Sequence, residues 1–179
     1  MSLGTVGDVG VYTISSAGKL EAILASPFSP ATAGFSNDVL VSANQAKLFE
    51  SRFFEGVISG WSIGSDGSLS ELPSSPFATV NSFNFISGVA TNKTGTRLHV
   101  SLASSSLIDE LGINSDGSLY PIASTNTGQF THGYNSVAVF PPKTCPAPWR
   151  AGDACINRQN ARGEVSSLTH GTSRGRIYT

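Results

Sequence analysis

Ser65-Asp66-Gly67-Ser68-Leu69 returns as Ser115-Asp116-Gly117-Ser118-Leu119, and a worn copy stands earlier as Ser16-Ala17-Gly18-Lys19-Leu20. The three glycines are 49 and 50 residues apart. A fixed period of this size marks a repeat architecture. The stretch itself reads as a hairpin tip. Glycine accepts the positive φ that a primed two-residue turn needs, so Asp66-Gly67 and Asp116-Gly117 are expected to be such turns.

Outward from the turn, Gly56–Ile63 leads in as one strand and Ser68–Leu72 leads out as another. Ser75-Pro76-Phe77 then closes the unit, as Ser26-Pro27-Phe28 does earlier. Proline removes a ladder donor and is expected to turn the chain out of the sheet. Asp38–Ser42 is a short apolar strand, and a further strand surrounds Lys47-Leu48-Phe49. The same order recurs in Ile86–Thr91, Arg97–Ser101, Leu107–Ile113 and Ser118–Ile122. The first unit retains only Gly10–Ile14 and Lys19–Leu24, while Ser136–Phe140 opens a further unit before Pro141-Pro142.

Four antiparallel strands in about 40–50 residues form the blade of a β-propeller. The expected fold is therefore all-β, with residues 8–142 supplying two complete blades plus flanking strands of an incomplete ring. The apolar first strand of each blade would line the channel, and Phe28 and Phe77 would wedge between blades. Closure takes about four to eight blades. A shorter open stack leaves apolar faces in water. The remaining blades, on a longer chain or on further copies of this one, are the expected partners.

Composition excludes several classes. The net charge is −1, with 13% charged residues, which gives no electrostatic basis for binding nucleic acid. No apolar run reaches the roughly 18 residues of a membrane span. Met1-Ser2-Leu3-Gly4-Thr5 lacks the basic start and apolar core of a signal peptide; the compartment is left open. Residues 143–179 carry six basic and two acidic residues, net +4, against net −5 for the first 142. This tail has no sustained strand or helix period, so disorder is expected, or at most a short helix near Ala154–Ala161. A basic arm for an acidic partner is its alternative role. Cys145 and Cys155 fit neither a redox nor a zinc spacing, and read as free thiols or as a disulfide in an oxidising compartment. No phosphate loop or nucleophile elbow is present, and no cofactor is expected.

Val11-Tyr12-Thr13-Ile14, the Asp-Gly-Ser-Leu turns, the Ser-Pro-Phe closures, Gly88-Val89-Ala90 and Arg97-Leu98-His99-Val100-Ser101 occur in one fixed order. In this the chain resembles the lactonase-type β-propellers, which include the 6-phosphogluconolactonase-like proteins, over about residues 8 to 140. The resemblance implies a seven-bladed ring with a site at one channel mouth, built from His, Arg and Glu on loops beside the inner strands. The implied activity is hydrolysis of a sugar lactone or related ester. The other expectations are a non-catalytic scaffold for protein or glycan, or a short-chain propeller closed by oligomerisation. The family's His-Pro-His-type segment is absent from this sequence.

His132 lies in Thr131-His132-Gly133-Tyr134-Asn135, before an inner strand, where an imidazole can serve as general acid or base near neutral pH. Asn135 can hydrogen-bond a ligand from the same loop. Arg52 and Glu55 flank Phe53-Phe54 in a loop expected on the same side; Arg52 would position an anion and Glu55 assist proton transfer. The plain alternatives are a solvated loop histidine, a turn asparagine and an exposed ion pair of little energetic weight. His99 reads as a packed strand residue and His170 has no partner pattern, so no metal site is expected.

Overall fold

A computed structural model describes residues 7–82, 85–103, 105–127 and 137–139. Among them every regular element is a strand, and all lie within the unit Met1–Val139. β1 (Tyr12–Ile14) and β2 (Leu20–Ala22) form a two-stranded sheet. β3 (Ser36–Val41), β4 (Lys47–Arg52), β5 (Val57–Ile63) and β6 (Leu69–Glu71) form the second, in sequence order. A short β7 (Phe77–Ala78) also pairs with β5 in this sheet. β8 (Ile86–Thr91), β9 (Arg97–Leu102), β10 (Leu107–Ile113) and β11 (Leu119–Asn126) form the third, again in sequence order. All pairings are antiparallel, which is the meander of a propeller blade.

The recurrent turn differs from the expected two-residue form. Gly64 N–H donates to the Ser68 carbonyl (2.8 Å), so the loop between paired residues holds three, Ser65, Asp66 and Gly67. Gly67 N–H donates to the Gly64 carbonyl (3.0 Å), and only Gly67 of the three has positive φ, +83°. This is a tight turn followed by a left-handed glycine, which restores the strand register. Asp66 Oδ1 accepts from Ser68 N (3.0 Å) and Oγ (2.6 Å), and Asp116 does the same for Ser118. The Asp-Gly-Ser triplet thus encodes the turn, and its repetition needs no catalytic explanation.

The Pro-Phe closure also departs from the direct crossover. After Pro76 the chain returns to its own sheet, where Phe77 pairs with Ile58. Phe28 makes the equivalent bridge with Val9, through reciprocal 2.9 Å bonds. β11 runs past the expected end at Ile122, because a bulge at Glu110/Leu111 opposes Leu111 to Pro121 and Glu110 to Ala123. β11 is an edge strand, where proline's missing donor leaves no ladder bond broken. Of Ser136–Phe140, expected to open a further unit, the described residues Val137–Val139 lie outside any strand.

Strand alternation divides β4 between two cores. Leu48 faces Val9, Trp61 and Leu69, with half-buried Phe28 packed alongside. Phe49 faces Ile58, Leu72 and Phe77, which join Ile86, Val89, Leu98 and Leu111 of the third sheet. Phe28 and Phe77 thus sit in the apolar layers expected of inter-sheet wedges. The first strands of the two large sheets are also tied by polar bonds. Val89 N–H donates to Asp38 Oδ2 (3.1 Å), and Asn37 Nδ2 donates to the Ser87 carbonyl (2.6 Å).

Candidate functional site

The rim on which the sequence places a site is formed by the β4–β5 loop and by the residues entering β3 and β8. Arg52 is not in that loop. It is the last residue of β4, on the face that also carries Leu48 and Glu50, and is 1% exposed. Its Nη2 donates to the Thr32 carbonyl (2.6 Å) and its Nη1 to Ser59 Oγ (3.3 Å). Glu55 follows on the loop, half-buried, and both carboxylate oxygens accept from Phe35 N–H (3.3 and 3.4 Å). The two side chains converge on Gly34, where a Cβ would meet the Arg52 guanidinium and lie 2.6 Å from the Glu55 carboxylate. A side chain at this position would have to displace both groups.

Arg52 clasps the segment linking the first sheet to the second. The link between the second and third sheets is held by different residues. Buried Asp109 of β10 accepts from Asn81 N (2.8 Å) and Nδ2 (2.6 Å). Asp109 occupies the repeat position of Ser59, and Leu102 that of Arg52. The two junctions therefore do one task with oppositely charged groups placed on different strands.

Glu50, one turn of the pleat before Arg52, is fully buried. Its Oε2 accepts from the Trp61 indole N–H (3.2 Å). Burial pushes the carboxyl above its ordinary value, against the opposing pull of Ser36, the Arg52 charge and Trp61. A raised folded pKa means that the native state binds the extra proton. Stability is then fullest below the ordinary carboxylate pKa and falls as pH rises through the folded value. Asp66 and Asp116, lowered by their bonds from Ser68 and Ser118, act in the opposite sense at more acid pH. Glu50→Gln is expected to flatten the decline above the ordinary carboxylate pKa and to raise the melting temperature at pH 8, read by thermal unfolding at a series of pH values.

Beside Glu55 four phenylalanines gather from distant parts of the chain. Phe53 stacks on Phe85, with centroids 5.2 Å apart and planes at 3°. Phe54 meets Phe35, Phe53 and Phe85 edge to face at 5.0–5.6 Å. Phe54 is 58% exposed and Phe85 40%, so the cluster presents an aromatic surface on the rim next to the Glu55 carboxylate. Such a surface suits the apolar face of a ring-shaped ligand. On the opposite rim, the turns after β3, β8 and β10 line a groove of about 700 Å3 with contributions from Ala43, Asn44, Lys47, Thr96 and Ile113.

Of the sequence-predicted site residues, Arg52 and Glu55 are thus brought together. His132 and Asn135 lie outside the described residues, as do Cys145, Cys155 and the tail 143–179. Glu50, Phe35 and Phe85 were not singled out in the sequence. Aligning Lys47–Arg52 with Arg97–Leu102 supplies the missing signal for the first, because Glu50 and Arg52 replace Val100 and Leu102 at core positions. Among the described residues no three His, Cys, Asp or Glu side chains are grouped as metal ligands would be.

No protein-family model matches the chain, and no curated protein sequence matches it significantly. Solved structures do match. A candidate 6-phosphogluconolactonase from Bacteroides uniformis superposes with a TM-score of 0.61 at 14% identity, over 72% of this chain and 37% of that one. The periplasmic gluconolactonase of Pseudomonas aeruginosa gives 0.59 at 14% identity, over 69% and 35%. A candidate 6-phosphogluconolactonase from Bacteroides fragilis gives 0.56 at 16%, over 69% and 34%. The described strands have the fold of these lactonase-like β-propellers, and the chain spans little more than a third of their length.

Proposed function

We propose that this chain is part of a lactonase-type β-propeller that binds a sugar lactone at the rim carrying Glu55 and the phenylalanine cluster, and hydrolyses its ester bond when the ring is complete. The supporting observation is the coincidence, on one rim of a lactonase-like fold, of a carboxylate with an exposed aromatic surface. The phenylalanine faces would cover the carbon skeleton of the sugar ring. Glu55 would take a proton from the attacking water, and His132 would protonate the departing ring oxygen. Arg52 bonds Thr32 and Ser59 beneath Gly34, and would fix the wall behind Glu55 while lending positive charge to an anionic substrate group.

The test is hydrolysis of gluconolactone and its 6-phosphate by the complete ring and by its Glu55→Gln and His132→Ala variants. Each substitution is expected to lower kcat by about 100-fold or more. Unchanged turnover in both variants would remove the catalytic assignment. The second reading is a binding scaffold for glycan or protein, favoured by Arg52 already being bonded to the protein's own Thr32 and Ser59. It predicts lactone or glycan binding by calorimetry with no turnover.

A further inference from the structure

Ser-Asp-Gly-Ser-Leu occurs at Ser65–Leu69 and again at Ser115–Leu119, so one chemical sequence stands in two structural settings. An Asp-Gly bond is open to a spontaneous change, because glycine has no Cβ to hinder its amide nitrogen. The Gly67 nitrogen attacks Asp66 Cγ. The new N–C bond forms, the carboxyl C–O bond breaks, and water leaves with the amide proton. Water then adds to the main-chain carbonyl of the five-membered imide and breaks its bond to nitrogen. The product is isoaspartate: the chain runs through the former side-chain carbonyl, the α-carboxylate is free, and the mass is unchanged. In both folded turns the reacting groups are held. Gly67 N–H donates to the Gly64 carbonyl and Gly117 N–H to the Asn114 carbonyl, both at 3.0 Å. The Ser68 hydroxyl and backbone bonds lower the Asp66 carboxyl, and the Ser118 backbone and hydroxyl bonds lower that of Asp116. Both are thus kept ionised, and an ionised carboxyl is a poor electrophile. The reaction therefore runs through the locally opened hairpin, and its rate follows how easily each turn opens.

We propose that Asp66-Gly67 is a site of isoaspartate formation in the folded protein, and that its twin, Asp116-Gly117, is guarded against it. Three differences between the turns carry the assignment. The first is packing on the glycine. Gly117 is buried, and a Cβ there would lie 2.9 Å from both Leu72 Cδ1 and Lys47 Cε. Gly67 is half-buried, and its Cβ would meet only Ile23 Cδ1 at 3.4 Å and Val11 Cγ1 at 3.6 Å. The second is a brace. Asn114 Nδ2 donates to Ser118 Oγ (2.9 Å), fixing the serine that holds Asp116, whereas the first turn has Gly64 at that position and no side chain to do so. The third is the strand that leaves the turn. β6 pairs with β5 through three residues, while β11 pairs along the whole of β10. The shorter ladder opens at lower cost. Conversion adds a methylene to the three-residue loop and removes the carboxylate that Ser68 bonds. It therefore loosens β6, whose Leu69 lies in the apolar layer with Trp61.

Ageing the full chain at physiological temperature and neutral pH tests this. Trypsin places Asp66 in Phe53–Lys93 and Asp116 in Leu98–Lys143, and electron-transfer fragmentation locates isoaspartate within each peptide. In the folded chain isoaspartate is expected to accumulate at Asp66 about tenfold faster than at Asp116. In concentrated urea the two rates should be nearly equal, because the reacting sequence is the same. Asn114→Gly, which gives the second turn the residue of the first, should raise the Asp116 rate and leave that of Asp66 unchanged. Equal rates in the folded chain, a faster rate at Asp116, or the same tenfold ratio in urea would each overturn the proposal. So would the absence of isoaspartate at Asp66 over a period that converts the unfolded chain. Ageing is read without substrate, so these outcomes are separate from success or failure of the lactone assay.

Discussion

Arg52→Leu will destabilise the chain by about 2–4 kcal/mol, and adding Glu50→Val will recover more than half of that loss. The single change removes the guanidinium that satisfies the Thr32 carbonyl and Ser59 Oγ, and it strips buried Glu50 of its nearby positive charge. Nothing small and polar replaces either. The double change installs what the third sheet already uses at these positions, Val100 and Leu102, both fully buried in an apolar layer. Replacing a buried charged pair by hydrophobic residues of similar volume is often neutral or stabilising. What the double variant will not recover is the clasp on the linker, for which the third sheet uses Asp109 and Asn81 instead. The pH dependence supplies an independent reading. Without Arg52 the Glu50 pKa rises further, so Arg52→Leu should lose stability most steeply toward alkaline pH. The double variant, which has no carboxyl there, should not. Urea denaturation of the unsubstituted chain, Arg52→Leu and the double variant at pH 6 and pH 8 measures both effects.

The same pair shows where sequence reading reached its limit. The hairpins were legible because Asp-Gly-Ser carries its own turn: one left-handed residue and one short side chain that bonds two positions on. The strands were legible because alternation and the repeat reinforced one another. In isolation the two phenylalanines between Arg52 and Glu55 look like a turn flanked by a charged pair, which places Arg52 in a loop. The pleat, however, continues through it and sends its side chain inward with Leu48 and Glu50. A buried arginine is rare enough that only the comparison of β4 with β9 would have suggested it. The aromatic rim was illegible for another reason. Phe35, Phe53 and Phe85 approach one another only because propeller topology puts the entries of β3 and β8 beside the β4–β5 loop.

Phe77→Ala is expected to cost about 3–5 kcal/mol, because the ring sits in the layer shared by the second and third sheets. The informative measurement pairs it with Gly60→Ala. A Cβ at Gly60 would lie 2.8 Å from Phe77 Cε2 and 3.0 Å from Leu72 Cδ1, so the methyl has no room while the phenylalanine is present. Alone, Gly60→Ala should lose about 1–3 kcal/mol through overpacking. Once Phe77 is alanine, the first of those obstacles is gone and the added methyl fills part of the cavity. The double variant should therefore be more stable than the sum of the two losses predicts, by about 1 kcal/mol or more. Its sign separates two roles for the Pro-Phe segment. If Phe77 wedges the sheets together by seating over a strand glycine, the two sites couple. If β7 contributes only its ladder bonds to Val57 and Ile58, the losses add to within about 0.5 kcal/mol, and the recurrent geometry of the closure lies in the backbone and not in the ring.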